Sequence, residues 1–152
     1  MKTIFILILI QLFPSFALGE NMNLLCKGEE AKYIEDNPRS KRVAIKSIGI
    51  QIYQKGMRLD GEWFESKSDL TEDYLLEKSY LKTNDNIIGT RNFSTNSLIE
   101  GRKIKTVKVD NVEINILTNK IYWVHKFKRV DMTDSDANVI YAYRKYFRGT
   151  CR

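Results

Sequence analysis

The chain has 152 residues, 29% of them charged and 43% hydrophobic, with a formal net charge of +6. That length suits one domain with a buried core, and the positive balance favours anionic partners without saying anything about fold or activity. A single histidine and two cysteines exclude a His-Glu-x-x-His zinc helix and a four-cysteine zinc site, and the sequence contains no phosphate-binding glycine loop.

At the N-terminus, Lys2 precedes an apolar run from Ile4 to Phe13, and Pro14-Ser15-Phe16 breaks it. Ala17 and Gly19 then put small residues at −3 and −1 of a cut before Glu20, which reads as a secretory signal over residues 1–19 and a mature domain over 20–152. The run is too short for the roughly 20 apolar residues of a membrane-spanning helix. Leu25 before Cys26 is too large for a lipid-modified cysteine. The leader contributes only Lys2 to the charge, so the mature domain stays basic.

Cys26 lies near the mature N-terminus and Cys151 is next to last. In an exported protein, periplasmic or secreted, such a pair reads as one structural disulfide joining the ends. The first and last strands are then expected to be neighbours.

Between the cysteines, β-branched and aromatic residues recur in short runs divided by Asn, Asp, Gly and Thr. Val43 and Ile45 fall on odd positions but Ile48, Ile50 and Ile52 on even ones, which predicts a β-bulge near Ser47, eased by Gly49. Residues 57–65, 74–82 and 86–93 read as strands. Asp69 and Glu72 have capping-box spacing, so one short helix is allowed over 69–77. Residues 104–117 read as a hairpin that turns at Asp110-Asn111, pairing Val109 with Val112 and Val107 with Ile114. Thr118-Asn119-Lys120 turns the chain into a strand over 121–130, a polar loop covers 131–138, and a last strand covers 139–148. The expected class is all-β: an antiparallel meander of about 7–8 strands, forming a small barrel or sandwich, with at most one short helix.

His125 shares a strand face with Trp123 and Phe127, which predicts packing rather than catalysis. The sequence has no Gly-x-Ser-x-Gly nucleophile elbow. Glu62 and Glu65 are a conceivable carboxylate pair, of the kind chance provides in a domain rich in acids. Asp131, Asp134, Asp136 and Asn138 space oxygen ligands like a calcium loop, but Val139 stands where the loop needs Gly and Lys145 where it needs Glu. No catalytic, metal or cofactor residue is therefore assigned.

The last two strands concentrate Lys126, Lys128, Arg129, Arg144 and Arg148 among tyrosines, a pattern that suits an anionic envelope surface such as lipid headgroups. Nucleic acid, which basic residues and aromatics can also bind, is disfavoured in an exported protein. Asn92-Phe93-Ser94 is a glycosylation acceptor in a eukaryotic host.

Leu24-Leu25-Cys26-Lys27-Gly28, the stretch Val112–Lys120 and the ending Tyr146-Phe147-Arg148-Gly149-Thr150-Cys151 resemble small uncharacterised exported proteins of Gram-negative bacteria. Those begin with a Leu-x-Cys-x-Gly-like strand and finish Gly-x-Cys. The resemblance implies a periplasmic β domain and carries no activity. The expected function is a non-catalytic exported binding or structural domain. A small carboxylate-dependent hydrolase and an anionic-surface binder are the alternatives.

Overall fold

The computed structural model describes residues 21–35 and 37–152; the expected signal segment and its expected cut before Glu20 lie outside the described residues. It is all-β, with no helix among the described residues. In chain order the strands are β1 (Met22–Ile34), β2 (Asn37–Tyr53), β3 (Gly56–Leu59), β4 (Glu62–Glu65), β5 (Lys67–Thr71), β6 (Tyr74–Lys82), β7 (Asn86–Ile99), β8 (Arg102–Asn115), β9 (Lys120–Asp131) and β10 (Asn138–Cys151).

They form one antiparallel sheet of ten strands in the order β4-β3-β2-β1-β10-β9-β8-β7-β6-β5. Each strand lies beside its sequence neighbour except across β4–β5, and β1 pairs with β10. The sheet curls into a nearly closed barrel, because β4 packs over β6 and β7 where the ladder is interrupted. Side chains close that seam. A Cβ on Gly89 would come within 2.3 Å of Met57 Cε and 3.0 Å of Phe64 Cδ1, so the missing side chain on β7 leaves room for β3 and β4. The Tyr80 hydroxyl donates across the same gap to the Tyr53 carbonyl at 2.9 Å.

The core fills one end of the barrel. Ile48, Ile50, Ile52, Met57, Phe64, Val112, Ile114 and Phe147 are each at most 2% exposed, and each contributes about 1.5–3 kcal/mol of transfer free energy. Cys26 and Cys151 sit directly opposite each other in the β1–β10 register and are disulfide-bonded, with Cα atoms 3.9 Å apart. Leu25 and Arg152 exchange both backbone hydrogen bonds, so the cysteines occupy the adjoining non-hydrogen-bonded pair, where opposing strands come closest. Two residues further in, Gly28 faces Gly149. A Cβ on Gly28 would lie 2.0 Å from the Arg148 carbonyl oxygen, and one on Gly149 would meet the Phe147 ring at 2.9 Å. The Cys-x-Gly start and the Gly-x-Cys ending are thus two halves of one cross-strand contact.

Several expectations are corrected. No hairpin turns at Asp110-Asn111: β8 runs unbroken through both residues, in constant register with β7 and β9. The inward phase is the even one that carries Val112 and Ile114, so Val107 and Val109 lie on the outer face, and the turn follows Asn115 instead. Nor does β2 slip at Ser47. Its register with β1 is continuous from Ile52 to Arg42, Val43 and Ile45 are simply exposed on the outer face, and the irregularity lies between Lys32 and Ile34 of β1. Residues 57–65 form two strands, divided at Asp60 (φ 49°) and Gly61 (φ 86°), whose left-handed conformations make the tight turn that a hairpin's twist favours. Residues 69–77, where a short helix is allowed by the sequence, are strand and turn. Asn119, at φ 54°, does occupy a left-handed turn position before β9.

Candidate functional site

The barrel wall carries a buried ionic cluster where the sequence suggested a turn. Asp110 is 1% exposed and accepts four hydrogen bonds. Its Oδ2 takes Arg91 Nε at 3.0 Å and Nη2 at 2.6 Å, while Oδ1 takes Trp123 Nε1 at 3.1 Å and His125 Nδ1 at 2.7 Å. These donors come from β7 and β9, the strands on either side of β8, and the register places Arg91 and His125 directly opposite Asp110. Burial alone pushes the Asp110 carboxyl up. The His125 hydrogen bond and the Arg91 charge, aided by His125 charge and the Trp123 hydrogen bond, outweigh it and hold the group below its ordinary value.

Facing a carboxylate that has only acceptors, His125 carries a proton on Nδ1, and Nε2 meets the Tyr143 hydroxyl at 3.3 Å. Tyr143 is pushed up by burial first, then by Tyr141, Asp110 and Glu30, so it remains a donor. Arg91 extends the cluster to Glu62 of β4, tying the seam of the barrel by charge. With four donors on its two oxygens, Asp110 is fully engaged in structure. His125 does share the face of Trp123 and Phe127 as expected, packing edge-on to Trp123, but as a hydrogen-bonded spacer rather than an apolar filler.

Glu62 and Glu65 do not face each other: alternation puts Glu62 on the inner face with buried Phe64, and Glu65 on the outer one. In the 131–138 loop, Asp131 Oδ1 accepts from the Thr133 hydroxyl at 2.5 Å and the Thr133 amide at 3.0 Å, and those bonds lower its pKa. Its oxygens therefore brace the loop. No cluster of potential metal ligands occurs among the described residues.

The basic residues of the last two strands divide between faces. Lys126 lies opposite Arg144 in the β9–β10 register, and with Lys128 and Arg148 they occupy the outer face. Arg129 has the opposite parity and shares the inner face with Tyr141 and Phe127. On the outer face an open groove of about 860 Å³ runs along β1 and β10. Ala31 is its floor, Tyr33 and Tyr146 pack edge to face with centroids 5.8 Å apart, and Lys41, Arg144 and Arg148 line it with Glu29 and Glu35. Arg144 Nε reaches Glu35 Oε1 at 2.7 Å, and Arg148 lies 5.2 Å over the Tyr122 ring. Sequence reasoning found Arg144 and Arg148 but missed Lys41, Tyr33 and the glutamates, because the β1–β10 pairing brings them in from the other end of the chain. Asp110 had a signal: counting back in steps of two from Ile114 and Val112 lands on it.

Comparison with protein-family models, curated proteins and solved structures gives no match. The site geometry alone therefore bears on function.

Proposed function

We propose that this chain is a non-catalytic, exported binding module that engages an anionic envelope surface, such as lipid headgroups, through the outer face of β9, β10 and β1. The observation that carries this reading is the β1–β10 groove, where Arg144 and Arg148 flank half-buried tyrosine rings beside Lys126 and Lys128. Guanidinium groups suit phosphate geometry, and tyrosines offer amphipathic contact at a headgroup layer. Export is supported by the disulfide, a bond that persists in oxidising compartments. The hydrolase alternative is weaker, because the buried acid is saturated by its donors and the two sequence-suggested glutamates lie on opposite faces. The test is vesicle flotation at low salt. Wild-type protein is expected to float with phosphatidylcholine–phosphatidylglycerol vesicles but not with phosphatidylcholine alone, with Arg144→Glu/Arg148→Glu abolishing recovery. Equal recovery of wild type and variant overturns the reading.

A further inference from the structure

The inner face holds a second, independent feature. From β7 to β2 the register runs Arg91, Asp110, His125, Lys145, Lys32, Arg42, each residue directly opposite the next on six consecutive strands. The first three neutralise one another through Asp110. The last three are all cations, side by side on β10, β1 and β2. Like charges directly opposite on adjacent strands destabilise a sheet. No ion pair compensates Lys145, Lys32 or Arg42 among the described residues, since Glu30, the nearby acid on the inner face of β1, is taken by Lys46 at 3.4 Å. Lys32 and Lys145 are half-buried, and their ammonium groups lie 4.3 and 5.7 Å from the centroid of the same Tyr143 ring. Tyr143 is itself held on one side by Phe127, stacked at 5.2 Å, and on the other by His125, which Asp110 fixes.

Three cations in register that no ion pair among the described residues neutralises, two of them converging on one ordered ring, make a place prepared for an anion. We propose that Lys32, Lys145 and Arg42 form an inner-face site for a phosphoryl anion, with Tyr143 as its floor. Two ammonium groups and a guanidinium suit the charge and the oxygens of a phosphate better than a single carboxylate. The bound anion would relieve the repulsion among the three strands, so occupancy and stability are linked. The phosphoryl group has two sources, a small soluble phosphate or a lipid headgroup.

The experiment is calorimetric titration and thermal melting with pyrophosphate and, separately, with dihexanoyl phosphatidic acid, at low ionic strength. Wild type and a charge-matched control, Lys55→Gln/Lys67→Gln, are expected to bind and to melt higher with ligand. Lys32→Gln/Lys145→Gln is expected to bind about ten-fold or more weakly, the scale of one charge-assisted contact. Without any anion it should melt at or above the wild-type temperature, because the repulsion is gone. Binding of pyrophosphate supports the soluble source, and binding of phosphatidic acid alone supports the lipid source, provided either is lost in the inner-face variant. Failure of wild type to bind either probe, equal binding by the variant and wild type, or a lower melting temperature for the ligand-free variant overturns the proposal.

Discussion

Asp110 and His125 sit directly opposite each other on β8 and β9, with Oδ1 and Nδ1 2.7 Å apart, and the acid is all but sealed from solvent. A charge buried in this way is tolerated because Arg91, Trp123 and His125 meet its lone pairs, and it becomes costly once those partners lose it. Asp110→Asn is expected to destabilise by about 3–5 kcal/mol, since Arg91 then keeps a buried charge without its principal partner. His125→Gln is expected to cost less, about 1–2 kcal/mol, because the amide can still donate to Oδ1. Urea unfolding checks the order of the two.

The same carboxylate sets an acid limit. Its folded pKa lies below the unfolded value of about 3.9, so its contribution is present in full above that value and is lost as pH falls through the folded pKa. Wild-type stability should therefore decline below about pH 4, and the decline should be shallower in Asp110→Asn. Unfolding midpoints between pH 2.5 and 7, measured on both proteins, provide the comparison.

Closing a loop between residues 125 apart constrains the unfolded chain strongly. Cys26→Ser/Cys151→Ser is expected to lose up to about 4–5 kcal/mol in the chain-entropy model and to melt several degrees lower. Non-reducing peptide mapping of the native protein should recover the two cysteine peptides joined.

Gly28 and Gly49 predict opposite outcomes. A Cβ on Gly28 would lie 2.0 Å from the Arg148 carbonyl oxygen and 2.4 Å from Gly149 Cα, whereas one on Gly49 would meet nothing within 4 Å. Gly28→Ala has to force β1 from β10 and should destabilise by about 1–3 kcal/mol or more. Gly49→Ala should be neutral or stabilising by up to about 1 kcal/mol through the unfolded chain. Denaturant midpoints of the two variants decide it.

The mature protein is expected to begin within two residues of Glu20, because Ala17 and Gly19 provide the small-residue pair before the cut. Intact-mass measurement on protein recovered outside the cytoplasm checks this, and retention of Met1 refutes it.

Local pattern was enough for much of the fold. Strand chemistry between polar turns specified an all-β meander, and the terminal cysteines predicted neighbouring first and last strands, where Cys151 is 5% exposed and bonded to Cys26. Periodicity also put His125 on one face with Trp123 and Phe127. It failed where a polar residue is buried. Asp110-Asn111 has the composition of a turn, and only the flanking strands, which bring Arg91 and His125 to the carboxylate, make an acid acceptable inside a wall. The row of inner-face cations escaped notice for a related reason. Lys145 belongs to the basic run of the last strand, whereas Lys32 and Arg42 are unremarkable in sequence, and the three become neighbours only because β1 pairs with β2 on one side and β10 on the other. Alternation along a strand is a local property that a sequence carries by itself, whereas which strand lies opposite, and so which charges meet, is settled by closure of the sheet.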